Sequence, residues 1–220
     1  MERYNLKIVI PAFNEEGSIF NVVKSVLSFG EVIVVDDGSE DNTAKLAKES
    51  GATVISNKIN KGYDLALCFG FEEACLRGAQ YILTFDADGQ HNHTMIKKAL
   101  HELNNGFDLI IGSRDKKQRW AERIFSFYTY LRWGIRDPLS GFKLYRQDIF
   151  KSMGYFDSYN SIGTELLLFA LQNKYKVKEI PIFTNKRNDK PRFGNNFSGN
   201  YKILKSLLNH FLKNFHINRN

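Results

Sequence analysis

Two carboxylates stand two residues apart in Phe85-Asp86-Ala87-Asp88-Gly89-Gln90-His91, directly after the apolar run Tyr81-Ile82-Leu83. Charges that close drive one carboxyl toward protonation unless a cation lies between them or water screens both. A hard divalent ion resolves the crowding, because it accepts carboxylate oxygens together with the phosphate oxygens of a ligand. Asp86 and Asp88 therefore read as ligands of Mg²⁺ or Mn²⁺, Gln90 adds a neutral oxygen, and the chemistry served is that of a diphosphate. A solvated turn is the plain alternative.

A second cluster, Asp36-Asp37-Gly38-Ser39, follows the apolar run 31–35, and a third, Pro11-Ala12-Phe13-Asn14-Glu15-Glu16, follows the run 6–10. A carboxylate has acceptor sites and no donor, so Asp36 or Asp37 suits a base N–H or a ribose hydroxyl. An Asp-Gly turn that caps the next helix through Ser39 or Asp41 uses the same residues. Lys61 and Gly62 stand ahead of a further helix and either approach a nucleotide or simply begin that helix. The glycine patterns of dinucleotide and Walker loops are absent, which argues against dinucleotide oxidoreduction and a phosphate-cradling glycine loop.

For these clusters to cooperate, the elements between them must bring them to one edge. The pattern predicts strands at 6–10, 31–35, 53–55, 81–85 and 107–111, and helices at 18–28, 41–50, 62–77 and 93–104. Ser18 is placed to cap the first helix, with Ile19, Val22, Val23, Val26 and Leu27 on one face. Strands alternating with helices long enough for crossovers predict an α/β fold with a single, mainly parallel central sheet flanked by helices. Ligands in such sheets sit beyond the carboxyl ends of the strands, where the strand order reverses. All three polar clusters follow strands and so fall on that edge.

The chain has 220 residues, 43% of them hydrophobic, enough for one full core. Cys68 and Cys75, seven apart in one predicted helix, read as core residues of a reducing compartment. No apolar run approaches the roughly 18 residues needed to cross a bilayer, and the N-terminus lacks a secretion-signal pattern, so the expected location is the cytoplasm. The net charge of +7 is concentrated: residues 176–220 hold ten Lys or Arg against two acids, a net of +8, which leaves the first 175 residues at −1. Tyr201, Leu204, Leu208, Phe211 and Phe215 form an apolar series at helical spacing in that tail. Such a helix docks on the body of the protein or lies on an anionic membrane. A catalytically silent nucleotide-binding domain and a nucleic-acid binder are the readings of another class, and the intact carboxylate pair argues against both.

The segments VIPAFNEE, VVDDGSEDNT, FDADGQH, LIIGSR and DPLSGFKLYR, in this order, resemble a family 2 glycosyltransferase with a nucleotide-sugar-binding GT-A (Rossmann-like) fold. The subgroup they are most similar to is that of dolichyl-phosphate mannose synthases and bacterial polyprenyl-phosphate glycosyltransferases, over about residues 6–196. The resemblance implies an inverting transferase that moves a hexose from a UDP- or GDP-sugar to a polyprenyl phosphate or, in other branches, to a sugar hydroxyl. By it, Pro11, Ala12, Phe13 and Glu15 line the nucleotide pocket, and Asp36 or Asp37 holds the base or ribose. Asp86, Asp88 and Gln90 serve metal and diphosphate, with Asp88 the main ligand, and Arg114 faces a donor or acceptor phosphate. Arg123 and Ser126 match the stretch that receives the acceptor phosphate, and Arg192 in PRFGNN is the mobile cation that closes over the pyrophosphate, with Lys190 and Arg187 as substitutes.

Two departures remove positive charge from the lipid-phosphate pattern. Ser126 is followed by Phe127 in place of an arginine, and Gly194 by two asparagines in place of Ser-Lys. Arg132 is the candidate compensation, and the aromatics at 125, 127, 128, 130 and 133 offer a surface for a prenyl chain or an ordinary buried face. A hydroxyl acceptor needs a base, for which Glu165 and Asp137 are the candidates; each has an equally weighted structural role, at the first turn of a helix and through Ser140 respectively. The resulting division is a transferase domain over 1–196 and a basic amphipathic helix over 197–220.

Overall fold

A computed structural model describes residues 4–89, 92–115, 119–182 and 196–217. Among these residues seven strands, β1 (Leu6–Ala12), β2 (Glu31–Asp36), β3 (Thr53–Ser56), β4 (Tyr81–Thr84), β5 (Leu109–Arg114), β6 (Lys143–Arg146) and β7 (Val177–Ile182), form one sheet in the order β3-β2-β1-β4-β6-β5-β7. Of the seven, β6 alone runs antiparallel to its neighbours. The helices are α1 (Ile19–Val26), α2 (Thr43–Glu49), α3 (Tyr63–Leu76), α4 (Thr94–Asn104), α5 (Trp120–Trp133), α6 (Gln147–Met153), α7 (Glu165–Gln172) and α8 (Asn196–Ile217).

The continuous apolar strands are explained by cover on both faces. Ile8, Ile10, Val32 and Val34 pack with α1 and α4, whereas the alternate residues Val9 and Ile33 pack with Leu67 and Phe71 of α3 and with Leu166 of α7. The strand predicted at 107–111 begins at Leu109 and runs on to Arg114, because β7 pairs with it through Arg114↔Ile182. That partner lies some seventy residues away, where local pattern has no reach. Cys68 and Cys75 are free and lie on α3.

A third core cluster joins Ala121 and Phe125 of α5, Leu168 of α7 and Ile203 and Leu207 of α8. Of the helical series predicted for the tail, Leu204 packs against this cluster and the Phe211 ring lies 4.8 Å from that of Tyr128, while the fully buried stripe is a neighbouring one. Ile203, Ser206, Leu207 and His210 are buried, while Tyr201 is 65% and Leu208 57% exposed. Helix α8 is apolar along more than one stripe; Ile203 and Leu207 meet α5 and α7, and the Ser206 hydroxyl donates to the Ser161 carbonyl at 3.1 Å. Phe215 lies outside the residues whose side chains are described.

Candidate active site

Strand β1 is the point where the order reverses: the chain moves outward to β2 and β3, then returns to place β4 on the other side. The β1–β4 ladder ends at Val9↔Thr84, capped by the Phe85 N–H donating to the Val9 carbonyl at 3.0 Å, whereas β1 stays paired with β2 up to Ala12↔Asp36. Above Thr84 the two strands part, and the crevice favoured by ligands opens there. Pro11 sits in that stretch, where β1 has no ladder to β4 for a missing N–H to break.

Hydrogen bonds tie the three strand-end loops to each other. Asn14, at φ 53°, donates its N–H to Ser39 Oγ at 2.9 Å, and its Oδ1 accepts the Glu40 N–H at 2.9 Å. The Glu15 N–H reaches Thr43 Oγ1 at 2.7 Å, and the Asp37 N–H reaches the Ala12 carbonyl at 2.8 Å. Ser18 occupies the predicted cap position of α1 but does not cap: its hydroxyl donates to the Ala87 carbonyl at 2.7 Å, linking the loop after β1 to the carboxylate pair. Glu15 is buried beside it, and Phe13 stays 36% exposed at the mouth.

Asp37 is fully engaged. Its carboxylate accepts Asn57 Nδ2 at 2.8 Å, the Lys61 N–H at 2.9 Å and the Gly62 N–H at 2.7 Å. Gly38, at φ 76°, lets this loop pass; a Cβ there would stand 2.7 Å from the Ile59 carbonyl carbon. Lys61 thus enters the site through its backbone, and its ammonium lies 4.8 Å over the Phe69 ring. Asp36 is equally buried and its Oδ1 accepts only a long bond, 3.3 Å, from the Ser39 N–H.

Asp86 and Asp88 are half-buried at the end of β4. Gly141 lies so close to Asp86 that any Cβ would collide with the carboxylate. Beneath them is a residue that sequence reasoning passed over: Lys143, 3% exposed, in the middle of the sheet opposite Thr84, its Nζ donating to the Ser140 carbonyl at 2.5 Å. Burial pulls its pKa down to about 8, while Asp137 and Asp86 act to keep it charged. A lysine between Phe142 and Leu144 in a strand-like run was the available signal. Among the described residues no three His, Cys, Asp or Glu gather to hold a metal ion. The donor set is a carboxylate pair, which fits a hard cation whose remaining positions are filled by ligand oxygens or water.

Arg114 makes a forked pair with Asp137: Nε to Oδ2 at 2.8 Å, Nη2 to Oδ1 at 2.9 Å, with the Arg114 N–H adding a third bond at 3.0 Å. Burial opposes its charge, but Asp137, Glu122 and Asp86 more than offset this and raise its pKa. The Glu165 carboxylate accepts the Ser158 N–H at 2.6 Å, the Ser158 hydroxyl and the Tyr155 hydroxyl, anchoring the loop before α7. Asp64 of α3 grips the same loop through the Ile162 and Gly163 N–H groups at 3.0 and 2.6 Å. Its pKa is raised to about 6 by burial and then by Asp157. Both carboxylates proposed as bases thus already hold structure.

Along α5, Arg123, Ser126, Phe127 and Tyr130, together with Arg136, line an open groove of about 310 Å³. Of the predicted aromatic surface, Phe125 is buried, while Phe127 and Tyr130 are 64% and 48% exposed. Gln90 and Arg192, with Arg187 and Lys190, lie outside the described residues.

Residues 7–156 match the family described as Glycosyl transferase family 2. The chain is 30% identical to the UDP-N-acetylglucosamine–dolichyl-phosphate N-acetylglucosaminyltransferase of Methanococcus voltae, covering 91% of this chain and 94% of that one. It is 28% identical to the polyprenol monophosphomannose synthase of Mycolicibacterium smegmatis, over 82% of this chain and 77% of the relative. In fold it is similar to glucosyl-3-phosphoglycerate synthase from Mycobacterium tuberculosis, solved with Mn²⁺ and UDP-glucose, at a TM-score of 0.77 and 19% identity, covering 94% and 78% of the two chains.

Proposed function

The chain belongs to glycosyl transferase family 2, is a glycosyltransferase with the GT-A fold, and on that premise we propose that it moves a hexose from a UDP- or GDP-sugar to a polyprenyl phosphate at a membrane face, with inversion. The observation that carries this reading is the pairing of a carboxylate-lined strand edge with an exposed apolar helix that bears the arginine-flanked groove. Relatives named for dolichyl- and polyprenyl-linked transfer point the same way.

In this reading Pro11, Ala12, Phe13 and Glu15 line the nucleotide pocket. Asp36 takes the base or ribose, since Asp37 is occupied in holding the Lys61–Gly62 turn against it. Asp86 and Asp88 would hold Mg²⁺ or Mn²⁺, with Gln90 nearby in sequence; a bound cation offsets the negative charge that grows on the departing diphosphate. Ser18 and Gly141 orient the carboxylates, one through Ala87 and one by close approach. Lys143, buried, and Arg114, half-buried, supply fixed positive charge near them, and the Lys143 charge, in the drier setting, acts the more strongly. Arg192, outside the described residues, is the cation assigned by the resemblance to the pyrophosphate.

The acceptor is favoured as an anion because a phosphate needs orientation and charge screening but no base. Glu165 and Asp137, the two candidates for deprotonating a sugar hydroxyl, accept bonds from Ser158 and Arg114 instead. The exposed stripe Trp120, Ile124, Phe127 and Leu131, with Arg123 and Arg132 beside it, suits an anionic lipid surface. No described helix is long and apolar enough to cross a membrane.

The test is transfer of label from a panel of UDP- and GDP-hexoses to undecaprenyl phosphate in the presence of Mg²⁺ or Mn²⁺. Label in the lipid phase supports the reading and identifies the donor. Donor turnover with label only in water-soluble glycans replaces it with the hydroxyl acceptor.

A further inference from the structure

The groove on α5 contains a cation whose place in sequence gives no hint that it belongs there. Gly134, at φ 75°, ends α5 and reverses the chain. Thr129 then pins the return: the Ile135 N–H donates to its carbonyl at 3.3 Å, and its hydroxyl donates to the Ile135 carbonyl at 2.8 Å. The next two N–H groups, of Arg136 and Asp137, both donate to Glu179 Oε1, at 2.9 and 2.8 Å. The backbone of Arg136 is thereby fixed, and its guanidinium is laid back across α5 to stand 5.6 Å over the Tyr130 ring. One turn earlier on the same helix is Ser126, and one turn before that Arg123.

Ser126 is 4% exposed, yet its hydroxyl oxygen has no hydrogen-bond partner. A buried hydroxyl left without a partner costs about 1–3 kcal/mol, and such groups are rare enough in folded proteins to ask what completes them. This one lines the groove together with both arginines. Two guanidiniums and a donor hydroxyl around one opening match a tetrahedral oxyanion, which offers acceptors on every side. Phe127 and Tyr130 on the same wall match an apolar substituent on that anion.

Resting on the acceptor reading above, we propose that Arg136 is a specificity-determining residue: with Arg123 and Ser126 it binds the phosphate monoester of the acceptor, and Phe127 and Tyr130 receive the chain attached to it. The phosphate monoester is the shared chemistry of a prenyl phosphate and a small water-soluble phosphate, and the groove's aromatic wall favours the former.

Calorimetric binding of farnesyl phosphate, farnesol and inorganic phosphate to the full chain separates these cases, with UDP and GDP in the presence of Mn²⁺ as donor-site probes. The wild type is expected to hold farnesyl phosphate at least tenfold tighter than farnesol. Arg136→Gln is expected to lose about tenfold to a hundredfold of that affinity, the range for a charge-assisted hydrogen bond. Arg136→Lys should recover part of it and Ser126→Ala should lose less, with nucleotide affinity unchanged in all three. Farnesyl phosphate binding that is indifferent to Arg136→Gln, in a variant that still binds nucleotide, overturns the assignment of Arg136 and leaves the acceptor reading standing. Equal affinity for farnesyl phosphate and farnesol overturns both. Inorganic phosphate that binds as tightly as farnesyl phosphate, and is lost with Arg136, supports the anion site and overturns its lipid source.

Discussion

At the strand-end edge, the polar groups of three loops are held by one another. Asn14, Ser39, Glu40, Thr43 and Ser18 exchange bonds between loops, and Asp37 alone accepts three. On the α5–α8 face the arrangement is the opposite: Trp120, Ile124, Phe127 and Leu131 recur at spacings of four, three and four, between 44% and 69% exposed, with Tyr201, Leu208 and Leu212 similarly exposed on α8. An edge that stabilises charge must be rigid before its ligand arrives, since dipoles that reorganise during reaction forfeit the benefit. A face that meets a fluid or variable surface needs area, and order adds little. Under the proposed function, the contrast separates an edge suited to chemistry from a face suited to an acceptor.

The largest expected effect breaks the edge. Asp88→Ala should lower sugar transfer by about 10²–10³-fold with the fold retained by circular dichroism, and chelation should do the same, reversed by added Mn²⁺. Transfer that survives the substitution removes the edge as the reaction site. Next is a paired substitution on α8. Leu207→Ala should cost about 2–5 kcal/mol of unfolding free energy, and its exposed neighbour Leu208→Ala within about 0.5 kcal/mol, read by chemical denaturation. Equal costs would mean that the docked stripe is misplaced. Asp37→Ala leaves the Asn57, Lys61 and Gly62 donors without their acceptor, so about 1–3 kcal/mol of stability and weaker nucleotide binding should go together. On the other region, Phe127→Ser with Leu131→Ser should leave the unfolding midpoint alone while reducing sedimentation with anionic vesicles by about tenfold, from the apolar area removed.

The last effect is one of pH. His210 is buried against Tyr128, and burial holds its pKa down at about 4 against an ordinary 6.5. The unfolded chain takes up the proton first as pH falls, so this contribution to stability is complete above 6.5 and is lost between 6.5 and 4. The unfolding temperature of the wild type should therefore fall more than that of His210→Phe over that interval.

The parts of this architecture legible in sequence are those where local composition carries the constraint. Runs such as Glu31-Val32-Ile33-Val34-Val35 announce a strand buried on both faces, and Asp86 and Asp88 stand at the strand end where the sequence places them. Sequence leaves open which of several equivalent groups is already satisfied. Asp36 and Asp37 look alike until Asn57, Lys61 and Gly62 are seen on one of them, and Glu165 and Asp137 look like bases until Ser158 and Arg114 are found on them. The docked side of α8 was likewise open, because the exposed Leu208 is as apolar as the buried Leu207 beside it. Lys143 was missed because a charge inside a strand reads as noise until its partners are known.

The reversed direction of β6 has an engineering consequence. A parallel strand lends the active edge only the loop at its carboxyl end, whereas β6 lends the loop at its amino end, so the segment between β5 and β6 both leaves from and returns to that edge. Arg114 and Asp137, 23 residues apart, lock its two feet together. Between them α5 and its groove form an excursion mounted on that clasp and seated on α7 and α8 through Ala121 and Phe125. Its outer face is free to diverge while Ala121 and Phe125 keep their packing on α7 and α8, so a graft that exchanges this segment has to carry that inner face with it.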